Sequence, residues 1–291
     1  MEINNNLKER FCKNQGISIR IYDEPYFTER IELLDPFYNT KNKYKSFLEL
    51  ISKLNSDEDY YKIYNSIKNN AISYLEEKLV NFKQEDFNKY NIKNQGFSSK
   101  DIYNETNVNK VFLSIDMVKA NFTVLKHYDE NIFPKLETYE DFIKQFTDEE
   151  HFIESKYVRQ VIFGNQNPKR QVKYEKHLMD KVLSDILEVT NEKHIMSFSN
   201  DEIVIEYIAS QFDEINSIVK KYIAQEINLR IDKFKLEKIH TGYKKIYDDG
   251  NVEFKNFNSI DIIFAIRKHF GQKITENDKV FVYENKLARF I

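Results

Sequence analysis

Three short stretches carry residue types that could do chemistry. Asp116 follows the apolar run Val111-Phe-Leu-Ser-Ile115, so a carboxylate stands at the end of an element that must be buried. Asp201 and Glu202 belong to the polar stretch Ser199-Asn-Asp-Glu202, which separates two apolar runs at the spacing of a tight hairpin. Lys156 to Lys173 (KYVRQVIFGNQNPKRQVK) holds Lys156, Arg159, Lys169, Arg170 and Lys173 and no acid. Carboxylate oxygens suit hard divalent cations such as Mg²⁺ or Mn²⁺, and a cationic segment suits phosphate. Each stretch also has an ordinary reading. Asp is a preferred helix cap, Asn-Asp favours turns, and a cationic helix face is commonly just solvated. Taken together, a strand-end Asp, a basic helix and a hairpin Asp form a candidate site for metal-assisted phosphate chemistry.

The elements that must position these residues follow from hydrophobic period. Residues 17–34 alternate around Pro25 and suggest a strand pair. From Tyr44 to about Phe87, Phe47, Leu48, Ile51 and Leu54, then Tyr61 to Leu79, recur at helical spacing, with Asp57 and Asn70 as expected helix starts. Residues 88–108 are polar and expected to loop. After Asp116 a helix carrying Phe122 and Leu125 is expected, then one helix over 139–163. Pro168 suits a first helical position, and the stripe from Val172 to Leu187 follows it. Hairpins are expected at 194–207, around Asp248-Asp-Gly250 and around Glu284-Asn285, with helices over 210–225 and 260–270 and a strand from Ile227. This mixture argues an α+β fold, an antiparallel sheet with helical lobes.

Composition narrows the function classes. The chain has 291 residues, 41% hydrophobic and 31% charged, and its 23 Phe and 19 Tyr can build a large core. Its net charge of −3 excludes a uniformly basic nucleic-acid coat, so any polyanion site must be local. The single cysteine, Cys12, rules out an internal disulfide and a Cys-based zinc site. No apolar run approaches a membrane span, and Met1 to Arg10 lacks a signal-peptide core. The expected setting is a reducing compartment, the cytoplasm or a virion, with no membrane partner. Heavy use of Lys, Ile, Asn and Tyr suggests an AT-rich genome, as in phages or plasmids.

The order of these stretches is the one template-directed polymerases use. Ser197-Phe-Ser-Asn-Asp-Glu-Ile-Val-Ile-Glu206 resembles the motif C hairpin of family A polymerases, the DNA polymerase I-like enzymes. Phe112-Leu-Ser-Ile-Asp116 is similar to their motif A, and Arg159-Gln-Val-Ile-Phe-Gly164 to motif B on the fingers helix. The resemblance implies a palm-like sheet, with Asp116 and Asp201 as metal ligands and Glu202 beside them. It implies that Arg159 contacts the triphosphate and that Phe163 stacks near the incoming base. Asn121 falls where the family places a ribose-excluding Glu, with Phe122 as its aromatic neighbour. Asn can donate as well as accept hydrogen bonds, so weak sugar discrimination is expected. Lys156, Lys169 and Arg170 complete the expected substrate-binding set.

The pattern departs from the family at Arg159, Ile162, Asn200 and Asn121, where it has Lys, Asn, His and Glu. Asp116 and Arg159 are 43 residues apart and Arg159 and Asp201 are 42 apart, the second interval being much shorter than in the family. The implied organisation is N-terminal palm-associated strands at 1–40, a helical thumb-like lobe at 41–110 and motif A at 111–131. Fingers-like helices follow at 132–193, then the motif C hairpin and C-terminal sheet at 194–291. The implied activity is template-directed nucleotidyl transfer by two metal ions, Mg²⁺ or Mn²⁺. Its partners would be template, primer, nucleoside triphosphates and a larger replication or transcription assembly. A polymerase-like subunit without catalysis, and a metal-dependent nuclease or unrelated nucleotidyltransferase using the same aspartates, remain the alternatives.

Overall fold

The structure, a computed structural model, describes residues 3–97, 101–284 and 286–290. It is an α+β protein, with an antiparallel sheet of six strands backed and flanked by helices. Helices α1 (Asn5–Gln15), α2 (Tyr26–Tyr38), α3 (Thr40–Ser52), α4 (Asp57–Lys78) and α5 (Val80–Gln84) come first. Next are β1 (Val111–Met117), α6 (Ala120–Tyr128), α7 (Tyr139–Ile143), α8 (Glu150–Ile153), α9 (Lys156–Gly164) and α10 (Pro168–Ile186). The hairpin of β2 (Ile195–Phe198) and β3 (Glu202–Glu206) precedes α11 (Phe212–Ile223) and β4 (Leu229–Ile239). Last come β5 (Gly242–Tyr247), β6 (Val252–Lys255), α12 (Asp261–His269) and a separate ribbon of β7 (Val280–Tyr283) and β8 (Lys286–Arg289).

The sheet order is β2-β3-β1-β4-β5-β6. Its first four strands, read along the chain with helices between β1 and β2 and between β3 and β4, form a split β-α-β arrangement with β1 in the middle. Side chains alternate across a strand, so the sheet has two unlike faces. Leu113, Ile115, Met117, Ile203, Ile205 and Leu229 belong to the main core, into which α10 and α11 also bury their apolar stripes. Phe112, Val204, Phe234 and Leu236 form a small second cluster on the opposite face. The remainder of that face, toward the end of β1, is polar.

Several expected elements change. Residues 17–34 are not a strand pair: Ile17, Ile19 and Ile21 are buried in alternation, but no strand pairs with them among the described residues. From Phe27 the apolar period becomes helical, Phe27, Ile31 and Leu34 facing the core of α2. The N-terminal segment is therefore built of helices, and α1 packs against α9 and α3, not on the sheet. Asn70 starts nothing, because α4 runs through it. The Ser56 Oγ cap on Asp59 N and the acidic first turn Asp57-Glu58-Asp59 set the start of that helix instead. The stretch 139–163 divides into three helices, α7 starting at a Thr138–Asp141 capping box and α9 at a Ser155 cap. The β2-β3 and β5-β6 hairpins, α12 and the Pro168 helix start stand as expected; Asn285, at the third hairpin tip, lies outside the described residues.

Candidate functional site

The β1–β3 register sets Asp116 directly opposite Glu202, and the β1–β4 register sets it opposite Arg230. Directly opposed residues share a face, so Glu202, Asp116 and Arg230 form a row across three strands. One step along, Val204, Ser114 and Asp232 form the next row. Asp201 lies at the hairpin tip, where its carbonyl accepts from Met117 N at 2.8 Å and docks the tip onto the end of β1. Asp116 is therefore a strand residue, not a helix cap. Lys119 precedes α6 in the left-handed region (φ 48°) and makes no side-chain cap bond.

Two resident cations partly neutralise these acids. Arg230 Nε lies 2.5 Å from Asp232 Oδ2, and its Nη2 lies 3.5 Å from Asp116 Oδ2. Lys245 on β5 reaches over the Phe234 ring, 4.4 Å from its centroid, to come within 3.5 Å of Glu202 Oε1. Glu202 also accepts from Ser114 Oγ at 2.5 Å. Compensation is incomplete. Burial pushes the Asp116 carboxyl up to about 6; Arg230 opposes this, while Glu202 and Asp201 add to it. Burial lowers Lys245, and the neighbouring Glu202 pulls against that.

A further carboxyl approaches from the helices. Glu175 on α10 is buried, and burial, with the field of Asp201, pushes it up to about 7. Its nearest described donor is Asn121 Nδ2, at 3.5 Å; the same amide lies 3.2 Å from Gln171 Oε1. Gln171 in turn donates to the carbonyls of Phe163 and Gln166. Asn121 is thus tied to α10 through its amide nitrogen.

The basic segment is dispersed. Arg159 is half-buried over the Tyr139 ring, 5.7 Å from its centroid, with Lys119 over the same ring at 5.9 Å. Lys119 is paired with Glu140. Arg159 Nε is buried with no hydrogen-bond partner, and burial lowers the guanidinium from its ordinary value while Tyr139 and Glu140 oppose the shift. Arg170 does not face the acids: its Nη1 donates to Glu85 O at 2.5 Å and Phe82 O at 3.4 Å. Lys169 is exposed on the first turn of α10. Lys156 is exposed on the first turn of α9, the end tied to α1 by Ser155 Oγ donating to Asn14 O at 2.9 Å.

Two aromatic expectations fail for packing reasons. Phe163 is fully buried beside Tyr139 and Phe142, and no base can stack on it in this arrangement. Phe122 is buried against Phe133 with ring centroids 4.5 Å apart, so it is a core residue and not a gate. Sequence reading missed Glu175, Arg230, Asp232, Lys245 and Lys119. Glu175 had a legible signal: it is a charge in register with Leu178, Met179 and Val182 on the buried side of α10. Lys245 had none, because its acid lies three strands away in the sheet order.

Carboxylate oxygens are the donor type that a hard cation takes. Among the described residues no three His, Cys, Asp or Glu side chains form a ready-made ion cage. Mg²⁺, however, characteristically uses one or two carboxylates, its own waters and substrate phosphates. Asp116, held up near 6 by burial and by its acidic neighbours, is a group that an added cation would stabilise in its charged form. Fold and site together define the class: an α+β protein with a split β-α-β sheet and a carboxylate row at one end of its open face. No family model, curated protein or solved structure matches this chain. Among the described residues no helix is long and apolar enough to cross a membrane.

Proposed function

We propose that this protein is a compact polymerase of the family A type, adding nucleotides to a primer in a template-directed way with Mg²⁺ or Mn²⁺. The observation that carries the reading is the convergence of Asp116 with Asp201 and Glu202. The β1–β3 register sets Asp116 opposite Glu202 on the face that carries no helix, and the Asp201 carbonyl docks the hairpin tip on the end of β1, although 85 residues separate Asp116 from Asp201 in sequence. Asp116 and Asp201 would hold the cations, which when bound activate the 3′-hydroxyl and stabilise the departing pyrophosphate. The chain's own residues do the rest. Arg159, lying over the Tyr139 ring that it shares with Lys119, binds the triphosphate together with Lys119 on this reading. Ser114 and Lys245 hold Glu202 in place next to the metal-binding acids. Nucleic acid and nucleoside triphosphates are the partners on this reading.

Primer extension tests it. Labelled primer on DNA or RNA template, with nucleotides and Mg²⁺ or Mn²⁺, should lengthen. Asp116→Asn and Asp201→Asn should each lower the rate by at least about 10²-fold. Shortening of the strand without added nucleotides would instead identify a nuclease. Tight strand binding with no extension would identify a non-catalytic subunit.

A further inference from the structure

The two resident cations of the acid row are held very differently. Lys245 is locked: its side chain is only 5% exposed, laid along Phe234 inside the second cluster. Arg230 is 57% exposed at the side chain. Its Nε makes a close contact with Asp232, whereas its Nη2 makes only the longer contact, 3.5 Å, with Asp116. Asp232 is thus a pivot, and the Asp116 end is the loose one. Space for a swing adjoins it. The turn after β5 leaves the first residues of β4 without a neighbour on that side, since the β4–β5 pairing begins only at Phe234. A cavity of about 620 Å³ opens there, lined by Arg230 and Asp232 with Tyr247, Asp249 and Glu253.

We propose that Arg230 is an exchangeable internal counter-ion: it neutralises Asp116 in the free protein and pivots on Asp232 into the adjoining cavity when a divalent cation takes Asp116. The proposal rests on the reading of Asp116 as a cation ligand. Physically, one carboxylate cannot give its best geometry to a guanidinium and a hard cation at once, and the cation, being smaller and doubly charged, wins the oxygen. Arg230 is on this account a positioning residue that sets cation affinity and keeps the acid row from repelling itself when the cation is absent.

The test is a titration of the intact protein with Mg²⁺, and separately Mn²⁺, read by thermal shift without nucleotide or primer. Wild type should be stabilised in a saturable way that Asp116→Asn abolishes. Arg230→Gln should move the half-saturating concentration about two- to fivefold lower, the range set by an exposed ion pair. Arg230→Lys separates displacement from a general field. It keeps the charge but cannot hold both carboxylates with one planar fork, so it should also bind the cation more tightly than wild type. An Arg230→Lys midpoint equal to wild type, or unchanged midpoints in both Arg230 variants, would overturn the exchange while leaving the cation reading intact. A wild-type protein with no saturable stabilisation, or one that Asp116→Asn retains, would remove the cation reading and the exchange with it.

Discussion

The two faces of the sheet are made of alternate residues on the same strands, yet they obey opposite rules. On the helix-covered face, Leu113, Ile115, Ile203 and Ile205 are sealed against α10 and α11. On the open face the end of β1 carries Asp116 between an acid and a cation, half-buried and incompletely matched. Two buried acids on α10 repeat the contrast within one helix. Asp180 accepts from Lys93 N, Asn94 N and Asn94 Nδ2 at 2.9–3.0 Å and clamps the 93–94 loop. Glu175, just over one turn earlier, has one amide at 3.5 Å and faces Asp201. A buried carboxylate with donors is structure; one without them costs stability, and such groups cluster where chemistry is done.

The strongest way to break this comparison is on the sealed face. Ile203→Ala should cost about 2–5 kcal/mol in denaturant unfolding, since it opens a cavity under α10. A loss below about 1 kcal/mol would mean that the face is less tightly packed than its burial indicates. Glu175→Gln should have the opposite sign, stabilising the protein by about 1–3 kcal/mol at pH 8. The folded carboxyl titrates near 7 and the unfolded one near 4.5. The folded state therefore binds more protons in that window, and this group's contribution to stability falls as pH rises through it. Glu175→Gln should flatten the slope between those pH values, and a slope equal to wild type would place Glu175 outside the acid field.

Asp180→Ala should destabilise by about 1–3 kcal/mol, because it orphans the loop amides, with no dependence on added Mg²⁺. Hydrogen exchange at Lys93 and Asn94 reads that loss directly. His151 sharpens the contrast in the helical lobe. Burial pushes its imidazole down to about 3, among Asn14, Gln15 and Tyr60. Its folded value lies below the unfolded one, so its contribution is present above about pH 6.5 and is lost as pH falls. His151→Gln should therefore weaken acid sensitivity below pH 6, measured as Tm against pH. The smallest effect belongs to Lys169→Ala, which should shift stability by less than about 0.5 kcal/mol, since the side chain is exposed. Its effect on nucleotide KM then reports on phosphate contact alone.

Local pattern was sufficient where one segment makes its own decision. Val111–Ile115 reads as a buried strand, Ser199–Glu202 as a polar tip between two strands, and Pro168 followed by an i, i+3, i+4 stripe as a helix. The sequence therefore placed Asp116 at the end of β1 and Asp201 on a turn, while Glu202, read as part of the tip, is the first residue of β3. Three alternating isoleucines before Pro25 carried the same local signal as a strand, and only the absence of a pairing strand among the described residues showed them to be an extended connector. What the tertiary structure decided was company. Register chose Glu202 and Arg230 as the neighbours of Asp116, strand order brought Lys245 to Glu202, and helix packing aimed Glu175 at Asp201 while burying Phe163 and turning Arg170 to the Phe82 and Glu85 carbonyls. Hydrophobic period encodes which way each side chain faces, but not which distant residue it meets. The charge of the site is a sum over strands that meet only after folding.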